Sequence, residues 1–150
     1  MKTAHPVTTV DGDAELAARL RLAVNRLARR LRHQGETGIS PSQLSALATV
    51  DRSGPMTLGD LAAVEQVRPP SMTRIVSRLE GGGLVDRQAS EQDRRVARVR
   101  VTAAGRQLLQ RSRTRKDAYL ARRLQTLDAA DRALMGEAVA VLERILERGE

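Results

Sequence analysis

The sequence is short of the residues that carry most site chemistry. Its 150 residues include no Cys, no Trp and no Phe, one Tyr and two His. Without Cys there is no disulfide, no thiolate nucleophile and no Cys-based zinc site. The two His lack metal-ligand spacing, and no Ser-His-Asp, Cys-His or nucleotide signature can be assembled, so we expect neither an enzyme nor a cofactor. A single aromatic residue also disfavours the stacking surfaces of single-stranded RNA binders.

Long apolar runs are missing as well. Residues 138–142 form one of the longest, far short of the about 20 residues that cross a bilayer. The first six residues lack the apolar stretch of a signal peptide. We therefore expect a cytoplasmic protein without a membrane partner.

Positive charge is in excess, and it is concentrated in one segment. Lys and Arg number 26 against 18 Asp and Glu, for a net charge of +8. Residues 68–115 contain twelve bases and four acids, hence +8, whereas the remainder balances fourteen bases against fourteen acids. A polyanionic partner is therefore predicted at this central segment.

Apolar periodicity and capping residues predict six helices. After a loose arm over residues 1–12, Asp13 is predicted to cap the first helix, and Ser40-Pro41-Ser42-Gln43 is a capping box for the second. The third starts at residues 57–60. The fourth opens at Pro69-Pro70 and ends at the triple Gly of residues 81–83. The last two are predicted to be capped by Thr102 and Asp128.

Between the fourth and fifth helices the pattern becomes extended. Residues 84–87 and 96–101 read as two strands joined by a charged turn, that is, a hairpin with a basic tip. The predicted fold is therefore mainly α (α+β). Two short helices joined by a tight turn and followed by a hairpin form a winged helix-turn-helix.

The fourth helix has the two faces that a DNA-recognition helix requires. Its apolar stripe is Met72, Ile75, Val76 and Leu79. The residues left for the major groove are Ser71, Thr73, Arg74, Ser77 and Arg78. Small hydroxyls allow close approach to bases, and Arg either pairs with guanine or binds a phosphate. Which Arg does which is left open, and Ser71 has the alternative role of capping the helix.

The tip of the hairpin supplies further cations. Asp93-Arg94-Arg95 can reach the DNA backbone or an adjacent minor groove, where negative potential favours Arg. Asp93 has two compatible roles, since it can tighten the hairpin or orient an Arg. The triple Gly lacks the Gly-Lys-Ser/Thr of a phosphate loop and is read as a helix stop.

Several of these motifs together resemble the MarR family of bacterial transcription regulators, nearly end to end. They are the helix of residues 71–80, Gly83-Leu84-Val85-Asp86-Arg87, Asp93-Arg94-Arg95, Val99-Arg100-Val101 and Thr102-Ala103-Ala104-Gly105. The resemblance implies a homodimer on a palindromic operator. Its arm is built from residues 1–38 and 106–150, and the winged lobe is residues 39–105.

The resemblance also implies residue roles. Thr73 and Arg74 read bases, Arg78 holds a phosphate, Arg95 enters the minor groove and Asp93 orients Arg95. Family members are often released from DNA by a small aromatic or phenolic effector that binds between arm and lobe.

The composition limits what such an effector site can contain. Tyr119 is the one aromatic residue able to contact an effector here, and the lack of Cys excludes peroxide-sensing thiols. The alternative function is an architectural protein that coats double-stranded DNA without an effector.

Overall fold

The computed structural model describes residues 9–89 and 96–147, with side chains from residue 12 onward. The elements, in chain order, are α1 (Thr9–Gln34), α2 (Pro41–Ser53), β1 (Met56–Thr57), α3 (Leu58–Val64), α4 (Pro69–Gly81), β2 (Val85–Ala89), β3 (Ala97–Val101), α5 (Ala103–Gln125) and α6 (Ala129–Glu147). The mainly α class with a small sheet is confirmed. Within the described ranges, no helix has the length and apolar character to span a membrane.

Local capping accounts for most helix starts. The Ser40 hydroxyl accepts a hydrogen bond from the Gln43 N–H, and the Gln43 side chain accepts one from the Ser40 N–H. Thr102 caps α5 and Asp128 accepts from the backbone at the start of α6. The expected start of α1 is wrong, because the helix begins at Thr9 and not after a cap at Asp13. Asp13 instead lies inside the first two turns of α1. An acidic side chain there interacts favourably with the helix dipole.

The sheet is antiparallel in the order β1-β3-β2. The two residues of β1 form no periodic pattern, and they become a strand by pairing with β3. In the β2–β3 hairpin, Asp86 lies opposite Arg100 and Arg87 opposite Val99. Buried side chains of α2, α3, α4, the hairpin and α5 share one core, to which Ala46, Leu47, Val50, Leu61, Met72, Val76, Leu79, Val85, Val99, Val101 and Leu109 belong.

The chain between α4 and the sheet is tied to the start of α5. Gly83 has a positive φ of 69°, and the Leu84 N–H donates to the Leu79 carbonyl (2.9 Å), as in a Schellman helix end. The Thr102 hydroxyl donates to the Gly83 carbonyl (2.6 Å), and the Thr102 N–H donates to the Leu84 carbonyl (3.1 Å). The triple Gly is therefore a helix stop, as predicted.

The first and last helices carry apolar side chains outside this core. In α6 no residue is buried. Large apolar side chains on α1 and α6 that remain exposed are Leu16, Leu20, Leu22, Val24, Leu27, Leu134, Met135, Val139, Val141, Ile145 and Leu146. These faces have nothing to pack against within the described part of the chain.

Candidate nucleic-acid interface

Helix α4 packs into the lobe through the predicted stripe. Met72, Val76 and Leu79 are buried, and Ile75 is half-buried against the same core. The five residues predicted to face the groove, Ser71, Thr73, Arg74, Ser77 and Arg78, are all exposed. The two-faced character of the helix is therefore confirmed, and base or phosphate contact by these side chains stays a prediction.

The hydroxyls of α4 differ in how they are held. Ser71 is the third residue of the helix, whose cap position is Arg68, so its alternative role as a cap is wrong. The Thr73 hydroxyl donates to the Pro69 carbonyl at 3.0 Å. Its proton is therefore occupied, while its lone pairs and methyl group remain available to a base edge. Ser77 accepts a hydrogen bond from Arg87 at 3.4 Å.

Some arginines of the basic segment are paired with acidic residues and others are not. Arg100 donates two hydrogen bonds to the Asp86 carboxylate, at 3.2 and 2.9 Å. This pairing lowers the pKa of Asp86 and raises that of Arg100. Arg74 and Arg78 form no ion pair with any other residue among those the structure describes. Uncompensated positive charge thus lies on the exposed face of α4.

Several other arginines of the basic segment have structural partners. Arg98 donates to the Pro55 carbonyl (3.3 Å), Arg106 to the Val101 carbonyl (3.1 Å) and Arg115 to the Glu36 carbonyl (2.9 Å). In addition, Arg113 pairs with Asp51 at 3.4 Å. These contacts join the lobe to its neighbouring elements. Only part of the charge counted in the sequence is therefore free for a polyanion.

One cation beside α4 was missed as a candidate site residue. Arg87, on β2, reaches the exposed side of the recognition helix and pairs with Glu80, Nε to Oε2, at 3.2 Å. Two signals in the sequence pointed to it. It belongs to the basic segment, and it follows Val85 by two positions, which places both side chains on one face of a strand.

The wing tip lies beyond what the structure describes. Asp93, Arg94 and Arg95 fall within residues 90–95, outside the described ranges. The strands on either side are in place, with Ala89 opposite Ala97 at the end of the ladder. The roles assigned to the three tip residues stay predictions.

Tyr119 is half-buried on α5. The Arg123 guanidinium lies over its ring, 5.3 Å from the centroid. Hydrogen bonding to Arg123, with a further contribution from Arg30, lowers the pKa of the Tyr119 hydroxyl. Tyr119, the aromatic residue predicted to contact an effector, therefore has two arginines beside it.

A cavity of about 600 Å³ lies between the α1–α2 connection and α2, with Ile39, Leu44 and Ala48 among its apolar lining residues. Tyr119 does not line it. Within residues 9–89 and 96–147, no group of three or more His, Asp and Glu side chains could hold a metal ion.

Comparison with known proteins relates this geometry to a family. The model of the MarR family matches residues 39–97. An HTH-type transcriptional regulator of Mycobacterium leprae is 41% identical over 139 residues, which cover 92% of this chain and 97% of that protein. The chain belongs to the MarR family. As a member of this family it is a DNA-binding transcription regulator, which confirms the resemblance drawn from its motifs.

Solved structures agree with the fold of this MarR-family regulator. A transcriptional regulator protein of Pseudomonas aeruginosa superposes with a TM-score of 0.80 at 35% identity, covering 90% of this chain and 96% of that one. A variant of Staphylococcus aureus MepR, bound to an oligodeoxyribonucleotide, superposes with a TM-score of 0.70 at 18% identity, covering 87% and 97%. At that identity the second likeness concerns the fold alone.

Proposed function

We propose that this regulator is a homodimer that binds a palindromic operator through two winged lobes and is released by a small-molecule effector. The observation that carries the proposal is the pair of unpartnered apolar faces on α1 and α6. An arm of residues 1–38 and 106–150 then joins two lobes of residues 39–105.

The argument for a second copy starts from α6. This helix has 19 residues and buries none of them in its own chain. Isolated helices of this length are marginal in water, and helices in proteins are stabilised mostly by packing an apolar face. The exposed fractions of Leu134, Ile145 and Leu146 are 62%, 58% and 74%. Contiguous apolar surface of this kind marks an interface.

Helix α1 also exposes an apolar face, so one interface between two copies can cover the apolar faces of both helices. Leu16 is 61% exposed, and Leu20, Val24 and Leu27 lie between 38% and 47% on the same helical stripe. A second copy of this chain supplies two matching apolar helices, and its two-fold symmetry accounts for a palindromic operator.

On the operator, α4 lies in the major groove. Thr73 and Arg74 read base edges, with Ser71 and Ser77 close enough for smaller contacts, and Arg78 binds a phosphate. The exposure of these residues and the lack of acidic partners for Arg74 and Arg78 within the described residues support this assignment. DNA binding by MepR, a protein of the same fold, also supports it. From the wing, Arg95 enters the minor groove and is oriented by Asp93, and Arg94 adds a further cation at the tip.

The effector is a small aromatic or phenolic compound. The cavity beside α2 has a volume of about 600 Å³, within the usual range for small-molecule sites, and lies where arm and lobe join. Ligand binding weakens DNA binding only to the extent that the ligand prefers the conformation with mis-spaced lobes. Tyr119 contributes if the effector extends along α5, where Arg30 and Arg123 favour an anionic group.

Two measurements test the dimer and the operator. Light scattering behind size exclusion should give the mass of two chains, and footprinting on genomic fragments should protect a palindrome with half-sites about 34 Å apart. A monomer, or equal affinity for operator and scrambled duplex at physiological salt, would overturn the proposal. The second result would favour the architectural alternative, which predicts a steep salt dependence without sequence preference.

Substitutions in α4 test the residue roles. Arg74→Ala should relax sequence preference at one operator position, costing about 1–3 kcal/mol on the operator and less on scrambled duplex. Arg78→Ala should weaken binding to both duplexes equally. Arg122→Ala is the matched control, since it removes the same charge from an exposed position about 30 Å along α5 from Thr102. An effect of the control equal to that of Arg78→Ala would contradict the phosphate role.

A further inference from the structure

Arg87 occupies an unusual place for a charged residue. On β2 it is two positions after Val85, so both side chains lie on the same face of the sheet. Val85 is 2% exposed, and Val99, directly opposite Arg87, is 1% exposed. The stem of Arg87 therefore leaves the core side of the sheet, and its guanidinium lies against Ser77 and Glu80 of α4. The Arg87 side chain is 30% exposed to solvent.

The guanidinium is held by two residues of the recognition helix. Its Nε pairs with Oε2 of Glu80 at 3.2 Å, and its Nη2 donates to the Ser77 hydroxyl at 3.4 Å. A guanidinium has five N–H donors in a planar fork. Glu80 and Ser77 use two of them. Among the described residues Arg87 has no other side-chain hydrogen bond or ion pair, so its remaining donors can meet an acceptor from solvent.

The place of these partners on α4 decides which part of DNA is within reach. At 100° per residue, Ser77 lies nearly opposite the buried stripe, and Glu80 lies about 60° from Ser77 toward the sheet. Arg87 is thus beside the groove-facing row and between α4 and the wing. When a helix lies in the major groove, its centre faces base edges and its flanks face the phosphates.

We propose that Arg87 contacts a DNA phosphate, and that Glu80 and Ser77 hold its guanidinium in position for this contact. The proposal rests on α4 lying in the major groove as described under Proposed function. Because the rotamer is already restrained before binding, less side-chain entropy is lost when the phosphate contact forms. The other role open to Arg87 is purely structural, as a link between β2 and α4.

Salt titration separates the two roles. Each phosphate contact adds about 0.9 to the slope of log K against log salt. Arg87→Gln should therefore lower the slope by about 0.9 on operator and scrambled duplex alike. Between about 50 and about 200 mM salt, its affinity deficit relative to wild type should shrink by about 3.5-fold. Glu80→Gln breaks the same link but keeps the cation, so its slope should equal that of wild type.

The controls distinguish the failure of this inference from that of the proposed function. Urea unfolding of both variants reports the structural link, and Arg122→Gln removes a distant charge. If Arg87→Gln and Glu80→Gln both keep the slope of wild type and lose similar stability, Arg87 only links β2 to α4. If Arg78→Ala in the same titrations also leaves affinity unchanged, the placement of α4 in the groove is wrong. If Arg78→Ala weakens binding while Arg87→Gln keeps the full slope, only the role of Arg87 is refuted.

Discussion

Gly105 lies where the first turn of α5 passes over the chain leaving α4. A Cβ at this position would overlap the Leu84 carbonyl oxygen and lie 2.8 Å from Cγ1 of Val101. The Leu84 carbonyl cannot move freely, because it accepts a hydrogen bond from the Thr102 N–H at 3.1 Å. Gly105→Ala must therefore separate α5 from the segment that joins α4 to the sheet.

The expected effect is the difference between opposing contributions. Ala is favoured over Gly in a helix by about 0.5–1 kcal/mol. Overpacking of a close contact costs about 1–3 kcal/mol, and loss of the hydrogen bond between Thr102 and Leu84 a further 0.5–1.5 kcal/mol or so. The overlap is with backbone, so the unfavourable contributions dominate. We expect Gly105→Ala to lower the free energy of unfolding by roughly 0.5–4 kcal/mol.

The assay is urea unfolding followed by circular dichroism at one fixed protein concentration, since association makes apparent stability depend on concentration. Gly59→Ala is the matched control. Gly59 also lies in the first turn of a Thr-capped helix, but its Cβ would meet only the Thr57 hydroxyl, at an ordinary 3.8 Å. The control should be neutral or stabilised by up to about 1 kcal/mol. A Gly105→Ala protein as stable as the control would refute the reasoning.

Substitutions at three further positions test other parts of the lobe by the same unfolding assay. Thr49→Val removes a buried hydroxyl that donates to Glu65 at 2.5 Å, and should cost about 1–3 kcal/mol; a loss below about 0.3 kcal/mol would contradict this. Gln66 has a φ of 53°, so Gln66→Val should cost about 1–2 kcal/mol and Gln66→Gly should not; equal effects would argue against a left-handed residue. Arg100 lowers the pKa of Asp86, so their pairing stabilises the lobe at neutral pH and is lost as pH falls from about 4 through the lowered pKa. Asp86→Asn should flatten that part of the stability–pH curve, and an unchanged curve would exclude the pairing.

Much of the lobe was predictable because the signals are local. The capping box at Ser40 and Gln43 lies within one turn, and the stripe of Met72, Val76 and Leu79 follows from the helical repeat alone. The exposed face of α4 is the complement of that stripe, so the candidate DNA contacts could be named from spacing. The start of α1 was predicted too late. A single capping residue such as Asp13 is a weak signal, and the backbone hydrogen bonds of the helix continue past it to Thr9.

The candidate site was less predictable where partners are distant in sequence. Counting charges could not show that Asp86 compensates Arg100, fourteen residues away, whereas Arg74 has no acidic partner among the described residues. Nor could it place Arg87 against α4, because the sequence shows only that Arg87 shares a strand face with Val85 and not which element lies beside that face. Strand β1 exists only because β3 lies beside it.

By itself the sequence determined the helices, the caps at Ser40, Thr102 and Asp128, the two faces of α4 and the family, since each depends on residue types at short, regular spacing. The tertiary structure alone decided which arginines are neutralised, that Arg87 lies against the recognition helix, and that Gly105 cannot carry a side chain. It also showed that the apolar faces of α1 and α6 have no partner within residues 9–89 and 96–147. These outcomes depend on which surfaces come into contact, and those contacts are made between segments that are distant in the sequence.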